Sequence, residues 1–204
     1  MSKDKYRRRA PALRLKNRVL VMCSAQTEET YFKLFKEKHK GDLRNVIVEV
    51  VAHKKSDPMA VVTATVSRKD GYDEAWAVFD KDDFIDFDEA ITLAVDSGIN
   101  CAFSNEAIEY WFFLHFENRT GAMSRKTLNS ELGRKLNIEY DKSEATVRRV
   151  IQKISGRLVI AEERAQIGHE RHMMDSGDAP SSWCSCTTIY ALTKKLREWS
   201  HVRK

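Results

Sequence analysis

The 204-residue chain has no apolar run near the roughly 18 residues that a membrane-spanning helix needs. The arginines near its start are not followed by an apolar stretch, which argues against a secretory signal and for a cytoplasmic protein with no membrane contact. Cysteine is sparse, with four residues, and only Cys184 and Cys186 lie close together. A Cys-x-Cys pair with no second pair does not close a zinc site, so all four are expected to be reduced thiols. Nor is there a His-Glu-x-x-His arrangement. His169 and His172 stand one turn apart on a charged stretch and read as a solvated helix face. Low-complexity segments are missing as well.

What remains is an ordinary globular composition, 42% hydrophobic and 32% charged, with a net charge of +5. The charge is unevenly spread. Residues 1–18 carry eight basic side chains against one acid, Asp4. Residues 1–17 are read as a basic arm whose Arg7, Arg8, Arg9, Arg14 and Lys16 are candidates for contacts to a polynucleotide backbone. The plainer reading is a solvated tail.

The pattern along residues 18–120 is that of an α/β core. Apolar or β-branched runs at 18–23, 45–52, 74–79 and 99–103 read as strands, the first of them covered on both faces. Between them lie helical stretches: one from Glu28 onward with Thr27 as its expected N-cap, one opened by Asp57-Pro58, and one over 87–97 closed by Gly98. Ser104 and Asn105 are expected to cap a fourth, strongly apolar helix over 106–116. Strands alternating with helices predict a parallel sheet of about four strands. Residues 121–204 read instead as a helical region packed on that core, with helices near 124–136, 143–154, 157–174 and 187–201 and no convincing strand.

Ligands of open parallel sheets bind at the carboxyl ends of the strands, where this chain puts residues 24–29, 80–83 and 104–106. Asp80 and Asp82 on one turn repel each other, a cost that a hard divalent cation removes, and Mg²⁺ or Mn²⁺ suits such oxygen ligands. By itself an Asp-x-Asp is more often a solvated turn that caps the next helix. Lys81 is expected to point away from the pair. Trp111, Phe112 and Phe113 read as core before base-stacking residues, and His115 as a satisfied core or helix-end histidine.

In combination the segments are more specific. The run from Val19 through Cys23, Ser24, Ala25, Gln26, Thr27 and Glu28 to Tyr31-Phe32 resembles the opening of the RloB-like proteins of the Toprim superfamily. Those read Cys-Glu-Gly-x-Thr-Glu, then Tyr-Phe. Asp80-Lys81-Asp82 resembles the family's Asp-x-Asp segment. Ser104-Asn105, Glu109, Trp111 and His115-Phe116 resemble its Ser-Asn-x-x-x-Glu-x-Trp-x-x-x-His-Phe helix, and 185–192 resembles its last helix. The resemblance implies a Toprim-like fold and a Mg²⁺- or Mn²⁺-dependent nuclease acting on RNA or DNA. It also implies an effector role in bacterial anti-phage defence, often beside an ABC- or AAA-type ATPase; self-association into a homo-oligomer stays open.

By the same resemblance Asp80 and Asp82 are metal ligands and catalytic residues, and Glu109 is a further site candidate. One departure stands out. Where the family has Glu-Gly, this chain has Ser24 and Ala25. Three explanations stay open: natural degeneracy, substitution by Glu28 or Glu29, or an engineered change. Glu28 is taken as the catalytic stand-in. A non-catalytic Toprim-fold protein that binds an ATPase or nucleic acid is the alternative.

Overall fold

The computed structural model describes residues 16–175 and 179–201. Its first half alternates β1 (Asn17–Cys23), α1 (Gln26–Lys38), β2 (Val46–Ala52), α2 (Pro58–Arg68), β3 (Glu74–Asp80), α3 (Phe87–Asp96), β4 (Asn100–Asn105) and α4 (Glu109–Leu114). Helices α5 (Arg125–Leu136), α6 (Glu144–Ile154) and α7 (Leu158–Asp175) follow, then β5 (Cys186–Thr187) and α8 (Ile189–His201). The sheet order is β2-β1-β3-β4-β5, parallel throughout except for β5, which runs antiparallel to β4. The expected α/β sheet with a helical C-terminal half is what the chain adopts. The two-residue β5 is an addition to the four expected strands.

Side-chain alternation sets the layers. Val19, Val21 and Cys23 of β1 with Trp76 and Val78 of β3 face one core, and Leu20, Met22, Ala75, Ala77 and Phe79 face the other. The second core is closed by α2 and α3 through Val61, Val62, Phe87, Ala90 and Ala94. The first takes α1, α4 and the C-terminal helices, with Trp111, Phe112 and Phe113 wholly buried in it. Each such ring hides about 150–250 Å² of surface, so these three are core.

Local chemistry fixes several boundaries. Asp57 caps α2 by accepting from the Ala60 amide at 2.8 Å, with Pro58 in the first turn as expected. Helix α1 starts earlier than expected, with Ala25 at the N-cap and no side-chain cap, so Thr27 lies inside it. Ser104 and Asn105 do not cap a helix. They end β4, because partners across the sheet satisfy them: Ser104 Oγ lies 3.0 Å from Thr187 Oγ1, and Asn105 Nδ2 donates to the Ser181 carbonyl at 3.0 Å. The edge strand β2 is blunted by α1, whose Lys36 donates to the Val48 carbonyl and whose Glu29 accepts from the Ala52 amide. No helix among the described residues is long and apolar enough to cross a membrane.

Candidate carboxylate site

Strand order reverses between β1 and β3, since β2 lies to one side of β1 and β3 to the other. This switch point is where open α/β sheets leave a crevice at the strands' carboxyl ends. The Ser24 amide donates to the Val78 carbonyl at 2.8 Å, which holds the start of α1 against the end of β3. Asp80 shares the parity of Trp76 and Val78, so it turns toward the face covered by α1 and α4. Glu28 comes in from the first turn of α1 and Glu109 from the first turn of α4, both buried. Three carboxyl groups from three elements meet there.

The electrostatics show how closely they interact. Glu28 is raised from 4.5 to about 7, chiefly by burial and further by Glu109, against the pull of its own backbone amide, the Ser24 hydroxyl and Lys142. Asp80 is pushed well above the usual carboxylate range by burial first, then by Glu28, Glu109 and Asp82, with the Ile108 amide acting the other way. Several carboxylates in one desolvated space cannot all ionise.

Two basic residues of the helical half counter part of this charge. Glu109 accepts from the Tyr140 hydroxyl at 2.9 Å and from Lys142 Nζ at 3.1 Å. Burial pulls the Lys142 ammonium down, but Glu109, Asp80 and Asp82 outweigh it and hold it above its usual range. Burial first, then Glu109, Asp80 and Glu28, raise the Tyr140 phenol. Asp82, in left-handed conformation at φ 44°, accepts from Arg125 at 2.9 Å, and Asp83 accepts from the same guanidinium at 2.7 Å.

Glu28 and Glu29 turn in different directions. Glu28 turns into the cluster and receives the Ser24 hydroxyl at 3.1 Å. Glu29 turns to the Ala52 amide and Lys33 instead. Ser24 is buried beside Glu28, and Ala25 is exposed at the helix start. Lys81 does not join the carboxylates; its ammonium reaches the Asp82 carbonyl at 3.2 Å. Arg7, Arg8, Arg9 and Arg14 lie outside the described residues, and Lys16 is exposed.

The remaining histidines resolve differently. His115 is buried, with Nδ1 2.9 Å from the Trp111 carbonyl, and burial lowers it to about 4, so it is a satisfied core residue. His169 and His172 are not a solvated face. His172 stacks on Trp183, and His169 lies 3.0 Å from the Tyr190 hydroxyl beside Phe103.

The donor set suits Mg²⁺ or Mn²⁺, since every acid is a hard oxygen ligand. Glu28 Oε2 is buried without a hydrogen-bond partner, an acceptor that a cation would satisfy. Among the described residues, however, no three His, Cys, Asp or Glu side chains are grouped to hold a metal ion. Tyr140, Lys142 and Arg125 went unnoticed in the sequence, because nothing in their own neighbourhoods marks them.

The family model described as RloB-like protein matches residues 19–196, most of the chain. No curated protein and no solved structure matches.

Proposed function

The chain belongs to the RloB-like protein family, and on that premise we propose that it is a metal-dependent nuclease of Toprim type, an effector of bacterial anti-phage defence. The observation that carries the reading is the group of buried Glu28 and Glu109 with half-buried Asp80 at the sheet's switch point, with Glu28 Oε2 unpartnered. Asp80 and Asp82 would hold Mg²⁺ or Mn²⁺, with Glu28 as a partial replacement for the missing acid. Such an ion polarises a phosphoryl oxygen and lowers the pKa of a bound water. Glu28, raised to about 7, is suited to proton transfer near neutral pH. Lys142 and Arg125 set positive charge beside the acids, where a phosphate's negative charge would come. The basic arm would hold RNA or DNA, the setting would be cytoplasmic, and an ABC- or AAA-type ATPase would be the partner.

One observation favours a second reading, a non-catalytic Toprim-fold binding protein. Lys142 and Arg125 already neutralise Glu109 and Asp82, as they would in a site that takes no metal. A cleavage assay on total RNA and plasmid DNA, with Mg²⁺ and with Mn²⁺, separates the two. The chain is compared with Asp80→Asn, Glu28→Gln and the double change Ser24→Glu, Ala25→Gly. Metal-dependent cutting that is lost in Asp80→Asn supports the nuclease. If neither the chain nor the double variant cuts, even with its triggered partner ATPase, the binding protein is the better account.

A further inference from the structure

Helix α7 buries Ala161, Glu162 and Ala165 on its inner side and leaves an apolar line outside. Ile160, Ile167 and Met174 are 46%, 64% and 82% exposed. They stand seven residues apart, the spacing that keeps side chains on one seam when two helices wind together. The charges beside them repeat at the same interval. Glu163 and Glu170 lie on one flank of the seam, Arg164 and Arg171 on the other, at roughly 100° of helix rotation per residue. The stretch 160–174 is therefore a twice-repeated unit with an apolar line, an acidic edge and a basic edge.

We propose that α7 is a self-association face, on which two copies of this chain pack α7 against α7 in parallel about a two-fold axis. The occupant follows from the signs. A two-fold axis parallel to the helices brings the acidic edge of one copy against the basic edge of the other, so Glu163 faces Arg164 and Glu170 faces Arg171 across the seam. An antiparallel pair would set acidic edge on acidic edge and basic on basic, which costs energy along the whole contact. Ile160, Ile167 and Met174 then each meet their own counterpart. The acidic edge is exposed, with Glu170 also accepting from Gln166; on the basic edge Arg164 and Arg171 are half-buried, and Arg164 donates one N–H to the Leu114 carbonyl. The inference does not depend on the nuclease reading.

An 18-residue helix is about 27 Å long, and one helix face falls short of the roughly 1,200 Å² of a standard interface. Association should accordingly be weak, with dimer growing over roughly the micromolar range. Sedimentation of the full chain should show mass rising toward twice the monomer with concentration. Ile167→Glu, on the exposed seam, should stay monomeric with unchanged melting. Glu170→Arg should weaken the dimer about tenfold, and adding Arg171→Glu should restore it. In a Cys184→Ser background, which removes an exposed thiol, Ile160→Cys and Met174→Cys should each form disulfide-linked dimers with themselves. A monomer at every concentration up to about 200 μM overturns the proposal. So does a mixture in which the Ile160→Cys and Met174→Cys chains link mainly to each other, the mark of an antiparallel pair.

Discussion

The Ser24 hydroxyl donates to Oε1 of Glu28, 3.1 Å away and one helical turn further on. A glutamate at position 24 would enter the crevice directly from the end of β1. With serine there, the acid comes from the next turn of α1, and the serine hydroxyl steadies it. The carboxyl group that enters the crevice from this segment stands at position 28, four residues further along the chain. Oε1 is satisfied and Oε2 is not.

The first prediction concerns pH. Glu28 is raised from 4.5 to about 7 in the folded protein, so the native state keeps a proton that the unfolded chain has lost. Stability must therefore fall as pH rises from about 4.5 to about 7, and then level off. Asp80, raised by burial and its acidic neighbours, adds a slope of the same sign. Glu28→Gln keeps an acceptor for Ser24 but cannot ionise. In urea titrations it should exceed the unchanged chain by up to roughly 3 kcal/mol near pH 8, with the gain vanishing near pH 4.5. An equal difference at both ends of that range would show that Glu28 titrates normally.

How much of this was legible in the sequence depends on how local each cause is. Strands β1 and β3 announce themselves because both of their faces are buried, which makes their runs largely apolar, and β2 by its β-branched residues. Asp57-Pro58 marks α2 by its own chemistry. Strand β5 is two residues long, too short for any periodicity, and exists because Thr187 meets Ser104. The same contact explains why Ser104-Asn105, which looks like a helix cap, ends a strand. In the site, Asp80, Glu28 and Glu109 could be read from their segments. Tyr140 and Lys142 could not, because they reach back to Glu109 from more than thirty residues away in sequence. That return depends on a loop with Asn137 and Lys142 in left-handed conformation, at φ 54° and 61°, and on Asp141 accepting from Ser143 and Thr146. Trp183 likewise reaches His172 only through the fold.

A second prediction sets Lys142 against a divalent ion. The ammonium holds Glu109 at 3.1 Å and faces Asp80 and Asp82, so it competes with any cation entering the cluster. Lys142→Ala should bind Mn²⁺ on the order of tenfold more tightly, from the lost repulsion at an intermediate dielectric. Asp80→Asn should bind it more weakly than the unchanged chain. Water-proton relaxation by Mn²⁺ reads both. Identical affinities in all three proteins would remove the cluster as the ligand set.

A third prediction addresses the clamp between α7 and α8. Glu162 is wholly buried, and Arg197 holds both of its oxygens, with Nε at 3.2 Å from Oε1. Removing the guanidinium alone strands a buried charge, which typically costs about 3–5 kcal/mol. Arg197→Met should lose that much in urea denaturation. Pairing it with Glu162→Leu should recover most of the loss, because an apolar pair of similar volume needs no solvation. If the double variant is as unstable as Arg197→Met alone, packing rather than charge explains the loss.

The last prediction concerns the basic arm and rests on counting charges. Residues 1–16 contain Lys3, Lys5, Arg7, Arg8, Arg9, Arg14 and Lys16 against Asp4 alone. If about four of these cations sit on phosphates, each releases bound counterions and contributes about 0.7 to the logarithmic salt slope on single strands, or about 0.9 on B-form DNA. Deleting residues 1–16 should then flatten the slope of affinity against salt by roughly 3 and weaken binding at low salt for RNA and DNA alike. The loss should shrink as salt rises, because the term removed is the one that salt already suppresses. Melting should not change. Fluorescence anisotropy with labelled oligonucleotides at several salt concentrations gives both slopes. An arm that serves only solubility would leave them equal, and any polynucleotide binding would then belong to the basic side chains of the helical half.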